Sequence, residues 1–491
     1  MKKKIIFILG IIVFSTYSCQ KALLYPPLPT SISNQDYAPF STPARITAQV
    51  LALYSNLRSG QLLGGRYQIY NDVKAENWIN ATNNSVTAYQ TWLESVNSGS
   101  SEVLNLWTQC YFAINNANLF IDGMAASGNT VLNNPALAAN YVAEAKFVRA
   151  VAYYCLLQMY CPSIAVNGGA SLAVPLRLIG ASAYGNYDMA PSTVAQVYAQ
   201  VIKDLNDAET GLPVAYYTTG TTLDPVSNTT RAHKNTAIAY KTRVYLSMQQ
   251  YTNAVTEAKK IAPQLIAPFS ATTGVPNALQ VSIANVFKSP YTTTESIFSM
   301  PFVNATEVPG GQNALADYFN TVSTTEFYLN PAGVVADTKW KSTDARRALV
   351  STVSGKNYIT KYALGSPFVD WAPVIRYSEV LLNYAEAQVR ATNTLDLTAI
   401  NLLNAVRGRS DATTVYTVAS FPGGVPDLLA AIVQERNIEF LGEGLRWADL
   451  LRLGLPIPAK GAVASVPAND PNNYIWPVPS SEQSNNKLIG R

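Results

Sequence analysis

The stretch TRVYLSMQQYTNAVTEAKKI, residues 242–261, reads as two helical segments around a tight turn at Gln249-Gln250. Tyr245 lies on the first segment, and Tyr251, Ala254 and Ala258 continue on the second. Small residues at 254 and 258 let two helices approach closely while the tyrosines fill the seam, which is tetratricopeptide-like spacing. A single pair of this kind is equally compatible with a plain antiparallel helical hairpin. Helical periodicity recurs, however, in 101–125, 138–160, 192–210, 231–262 and 373–453. Several such pairs predict a mostly α chain, a helical-repeat scaffold in which each pair buries its apolar face on its neighbour.

Residues 264–370 break the pattern. Thr/Ser/Gly-rich stretches alternate with short β-prone runs such as ESIFSM (295–300) and KNYITKYAL (356–364), and PGGQNA (309–314) and NPAGVV (330–335) are turn signals. The expectation is a loop-rich, partly β insertion. It separates an N-terminal helical part, 46–263, from a C-terminal helical part and tail, 371–491, within one body. Long irregular segments on a rigid scaffold are commonly where binding happens.

The N-terminus begins with Lys2, Lys3 and Lys4, continues as the apolar run Ile5 to Phe14, and reaches Ser18 just before Cys19. This is a secretory signal over 1–18 that ends on a cysteine. Its apolar run is about half of the roughly 20 residues that a spanning helix needs. The expected mature N-terminus is therefore a lipid-modified Cys19, held to a membrane by acyl chains such as palmitate. Residues 19–45, rich in Pro, Ser and Thr, read as an extended tether.

Removal of the signal takes three lysines from the 35 basic residues and nothing from the 31 acidic ones, leaving 32 against 31, a net of +1. That balance excludes a nucleic-acid-type charge excess. Hydrophobic residues make up 48% of the 491 and charged ones 13%, which is the composition of a chain with a large core, not of a disordered one. Once Cys19 is lipidated, Cys110, Cys155 and Cys161 remain, an odd number that cannot make a disulfide framework. Buried thiols are expected.

Charged residues interleave with apolar ones in WAPVIRYSEVLLNYAEAQVR (371–390), AINLLNAVRGRS (399–410) and PDLLAAIVQERNIEFLGEGLRWADLLRLG (426–454). Arg376 and Glu379, at i and i+3, are expected to pair on one helix face. Glu435, Glu439 and Glu443 invite a glycosidase reading, because paired carboxylates perform that chemistry. Yet Arg436, Arg446 and Arg452 lie among them, so a buried ion-pair lattice is the favoured reading. The sole histidine, His233, stands beside a helix start and is read as structural. Neither Cys/His metal spacing nor a Gly-rich phosphate loop is present, so no cofactor or metal is expected.

Binding has better support. A neutral sugar is recognised by stacking on aromatic rings and by side chains that exchange hydrogen bonds with its hydroxyls. NDVKAENWINATNNSVTAYQTW (71–92) offers Trp78, Tyr89 and Trp92 among Asn77, Asn80, Asn83 and Asn84. The insertion offers Tyr291, Phe302, Tyr318, Phe327, Tyr328 and Trp340. Trp78, Asn80, Tyr89, Trp92, Tyr291 and Trp340 are the candidate ligand-binding residues, with Trp78, Trp92 and Trp340 offering the largest stacking faces.

The helix at Arg376–Ala387, the N-x-V-R-x-R element at Asn404–Arg409, the run Glu435–Arg452 and the tail PSSEQSNN, with Pro479, Glu482 and Asn486, together resemble the SusD/RagB family of outer-membrane nutrient-binding lipoproteins. The motifs cover roughly the last quarter of the chain, and the lipoprotein start agrees with them. The resemblance implies a non-catalytic, lipid-anchored protein at the outer membrane, facing the cell surface, that captures an oligosaccharide for a SusC-like TonB-dependent transporter. Its alternatives are peptide capture on the same architecture and an envelope tetratricopeptide adaptor without a small ligand.

Overall fold

The structure, a computed structural model, describes residues 38–490. The signal, Cys19 and most of the expected tether lie outside the described residues. The first helix, α1 (Pro43–Arg58), begins inside the stretch read as tether. Extended Thr42 accepts from the Arg45 N–H, and Pro43 occupies the first turn, where a missing N–H is harmless.

The further main helices are α2 (Arg66–Val73), α3 (Tyr89–Trp92), α4 (Ser101–Gly123), α5 (Pro135–Tyr160), α6 (Val194–Gly211), α7 (Lys234–Ser247), α8 (Tyr251–Ile261), α9 (Leu315–Phe319), α10 (Tyr377–Thr392), α11 (Leu397–Ser410), α12 (Val425–Glu439), α13 (Arg446–Leu453) and α14 (Ser480–Asn485). From α4 onward they pack in chain order: α4 on α5, α5 on α6, α6 on α7, α7 on α8, α8 on α10 and α10 on α11. Residues 242–261 form the expected pair, with Gln249 left-handed (φ 56°) at the turn and Ala254 and Ala258 fully buried. α7 is buried on every side, whereas α8 keeps an exposed polar face. The architecture is a tetratricopeptide-like helical stack, as the periodicity predicts. Cys110, Cys155 and Cys161 are buried within it, outside any disulfide.

Short strands tie the irregular middle to this frame. β1 (Trp78–Asn80) pairs antiparallel with β3 (Phe327–Leu329), stitching the insertion to the N-terminal part. β2 (Ser296–Met300) pairs with β6 (Ala372–Arg376), and β4 (Val350–Val353) with β5 (Lys356–Ile359). β6 corrects one expectation: residues 372–376 are a buried strand, and the helix starts at Tyr377. Arg376, extended at φ −118°, ψ 160°, is the residue before that helix and does not share a helix face with Glu379.

Candidate functional site

The long loops of the insertion fold over the turn that follows α1. In SGQLLGGR (59–66) two glycines touch the chain at 309–313. A Cβ at Gly60 would stand 2.0 Å from the Pro309 carbonyl oxygen, and one at Gly65 would stand 1.8 Å from that of Asn313. No other side chain fits at either position. Arg66, 4% exposed, gathers what this contact brings together. Its Nε donates to Asn313 Oδ1 at 2.9 Å, its Nη1 donates to Val86 O at 2.7 Å, and its guanidinium lies 5.5 Å over the Tyr318 ring.

At the end of β1, Asn80 Oδ1 accepts from the N–H groups of Thr82 at 3.1 Å and Asn83 at 2.6 Å, turning the chain. The Ala81 N–H donates to Glu326 O at 2.8 Å, and the Thr82 hydroxyl donates to the Glu326 carboxylate. Asn320 Nδ2 donates to Tyr362 O at 2.6 Å, so the 321–325 loop lies beside the 363–370 loop. The largely exposed tips at 81–86, 303–307, 321–324 and 363–367 thus make one face rich in amides and hydroxyls. Beneath its edge Tyr291 stacks on Trp371, centroids 5.5 Å apart at 17°, with both rings buried, whereas Phe368 is half-buried in the adjoining loop. The Tyr291 hydroxyl donates to Asp370 Oδ1 at 3.0 Å and the Leu364 N–H donates to Oδ2 at 2.7 Å. Burial raises the Asp370 carboxyl above its ordinary range despite those donors. Beneath Phe368 and Asp370 the free space is only ≈ 10 Å³. The face is shallow, suited to a chain lying across it and not to an engulfed small molecule.

The three tryptophans expected to offer stacking faces are buried. Trp78 is 0% exposed and stacks on Phe319 at 4.1 Å. Trp92 donates from Nε1 to Trp78 O at 2.8 Å, and Trp340 is covered by the Arg347 guanidinium 4.0 Å above its ring. The reason is the β1–β3 pairing and the packing of 334–349 against the frame, neither of which composition reveals. Phe302, Tyr318 and Phe327 are likewise core. Asn80 reaches the loop face as the residue that turns its first loop, and Tyr291 is buried beneath its edge against Trp371. Tyr89, half-buried, stacks on Trp92 at 6.0 Å. Tyr328 is half-buried under Lys356. Sequence reasoning missed Trp371, Phe368, Asp370 and the organising Arg66. Only the Gly64-Gly65-Arg66 triplet signalled a crowded turn there.

The acidic residues of 435–443 form a lattice. Glu439 accepts from Arg376 at 3.0 Å, Arg409 at 2.5 Å and Arg346 at 3.0 Å. Glu435 pairs with Arg346 and Arg407, each at 2.6 Å, and Glu443 with Arg376 at 2.7 Å and Lys361 at 2.6 Å. Burial alone would raise the Glu439 carboxyl, but Arg409, Arg376 and Arg346 hold it well below the ordinary range. Arg436 joins Asp449 at 2.9 Å, and Arg446 joins Glu76 at 2.5 Å. Each of the three glutamates is paired with at least two cations, which leaves no free acid/base pair of the glycosidase kind.

Comparison with known proteins agrees with this architecture. A family profile described as the SusD family matches residues 215–490, and one described as starch-binding associating with outer membrane matches 33–246. A SusD superfamily protein from Bacteroides fragilis superposes with TM-score 0.81 at 30% identity over 92% of this chain and 100% of that one. A SusD-like protein of Formosa agariphila is 25% identical, covering 78% of each chain. Surface glycan-binding protein A from Bacteroides thetaiotaomicron, solved in complex with laminarihexaose, has the same fold: TM-score 0.69, 17% identity, 90% of this chain and 97% of that one.

Proposed function

The chain belongs to the SusD family, and from that premise we propose that it is a non-catalytic outer-membrane lipoprotein which captures an oligosaccharide on the loop face and passes it to a TonB-dependent transporter. A lipidated Cys19 anchors it, with the loop face turned to the cell exterior. The observation that carries the reading is the cluster of exposed polar loop tips beside the contact of Arg66 with Val86 and Asn313, with half-buried Phe368 offering an aromatic surface. Amides and hydroxyls exchange hydrogen bonds with sugar hydroxyls, and an aromatic edge takes the C–H face of a ring. A protein of the same fold has been solved in complex with laminarihexaose, an oligosaccharide. The saturation of Glu435, Glu439 and Glu443 by cations supports binding without turnover.

The test is a screen of the purified protein against a glycan array and a peptide library, followed by calorimetry on the hits. A glycan whose affinity falls about thirtyfold in Phe368→Ala, with the melting temperature nearly unchanged, supports the assignment. Hits confined to peptides, or a glycan affinity indifferent to Phe368→Ala and to Asn83→Ala, would overturn it.

A further inference from the structure

A second opening lies outside the loop face, between α4, α14 and the extended strap 174–190. The strap has no regular secondary structure, and side chains of α4 and α5 take the place of a partner strand. Asn115 Nδ2 donates to Ala181 O at 3.1 Å while its Oδ1 accepts the Ala181 N–H at 2.7 Å. Asn118 Nδ2 donates to Arg177 O at 3.1 Å, Asp122 accepts the Gly180 N–H at 2.8 Å, and the Tyr153 hydroxyl donates to Arg177 O at 2.8 Å. At its far end Asn486 grips both the N–H and the carbonyl of Met189. The strap is thereby fixed with a cleft beneath it.

The cleft has two connected chambers that share Tyr111, Asn115, Arg177, Ala181 and Tyr187. The more open one, ≈ 340 Å³, is lined by Trp107 together with the polar side chains of Arg177, Glu482 and Asn485. The apolar one, ≈ 280 Å³, is walled by Ile114, Leu176, Leu178, Ile179 and Met189. The Tyr111 hydroxyl donates to Pro175 O at 2.7 Å and that of Tyr187 donates to Ala183 O. Both phenols are turned to the backbone, which fixes the rings as surfaces. Arg177 and Glu482 stand 3.7 Å apart, 24% and 20% exposed, an ion pair loose enough to open at little cost. A vicinal diol satisfies both partners at once, accepting from the guanidinium and donating to the carboxylate. The pair is neutral overall, so an anionic sugar gains nothing from it.

We propose that this cleft is a second carbohydrate site, holding one neutral saccharide unit that bears a methyl or acyl substituent. The ring stacks on Tyr111 and Tyr187, adjacent hydroxyls bridge Arg177 and Glu482, and the substituent enters the apolar chamber. The site stands on its own lining, independent of what the loop face binds.

Saturation-transfer NMR on the full mature chain tests it, with methyl glycosides of fucose, rhamnose and N-acetylglucosamine as probes and with glucose and glucuronate as comparators. Transfer should be strongest to the methyl or acetyl protons of the substituted sugars and weaker for both comparators. Ala181→Trp, which fills both chambers, should abolish it. Tyr187→Ala and Glu482→Gln should weaken affinity about thirtyfold, and Phe368→Ala on the loop face should leave it unchanged. Absence of transfer from every probe, a preference for glucuronate, or transfer that survives Ala181→Trp would overturn the proposal. Loss of oligosaccharide binding in Phe368→Ala alone would concern only the loop face.

Discussion

Arg243 and Glu379 form a two-pronged bond, Nε to Oε1 at 2.7 Å and Nη2 to Oε2 at 2.6 Å, between helices whose partners lie 136 residues apart. Both side chains are buried, and Arg243 also donates to Val374 O. The pair locks α7 to α10 across the root of the insertion. Glu379→Ala leaves a guanidinium buried without its counter-ion and is expected to cost roughly 3–5 kcal/mol in denaturant unfolding. Replacing both partners by apolar residues of similar volume should restore most of that loss; if the double variant is no more stable than the single one, packing and not charge holds the helices.

His233 precedes α7 and is 0% exposed. Burial lowers its imidazole from the ordinary 6.5 to about 3. Between those values the unfolded chain takes up a proton that the folded chain refuses, so stability should fall as pH drops through this window, by roughly 1.4 kcal/mol per pH unit from this group. The chain has one histidine, so its imidazole NMR signals need no assignment. They should stay at neutral-form shifts down to about pH 3. Titration near 6.5 in the folded protein would contradict the burial.

Trp78 and Phe368 should separate under substitution. Trp78→Ala removes a core indole and is expected to cost roughly 3–5 kcal/mol in stability, with affinity intact in whatever fraction stays folded. Phe368→Ala should act chiefly on oligosaccharide affinity. Paired thermal melts and calorimetry on the two variants decide, and a reversal of the pattern would move the site from the loop face to β1.

Cys19 is the proposed point of lipid attachment. Cys19→Ser should shift the mature protein from the membrane to the soluble fraction in cells lacking the proposed transporter partner. Retention in the membrane there would point to another anchor. Among the described residues no helix is long and apolar enough to cross a membrane.

The helical stack was legible because its signals are local. The 242–261 pair is fixed by period, two small residues and a turn. The interleaving of Glu435, Arg436 and Glu439 announced a lattice but not its partners, because Glu295, Arg346 and Arg409 reach it from distant segments that only the tertiary fold assembles. Arg376 was misplaced because the apolar run before it suits a buried strand and a buried helix equally. The site was hardest to see. An Asn-rich neighbourhood suggested exposure for Trp78 and Trp92, yet the asparagines serve as turn-makers while the indoles between them face inward. Tyr291 and Trp371 meet only in three dimensions.

Glu295, Arg346, Lys361 and Arg376 sit where the loops of the insertion leave and rejoin the frame, and all four close onto Glu439, Glu443 or each other. The loops are in effect plugged in at charged sockets in which their tips take no part, the Glu307 carboxylate of one tip pairing instead with Arg58. A tip can be lengthened, shortened or recoloured for a new glycan without disturbing a single socket. Retargeting such a protein by grafting the tips at 81–86, 303–307 and 321–324 should therefore leave its folding intact, provided the socket residues travel with the frame.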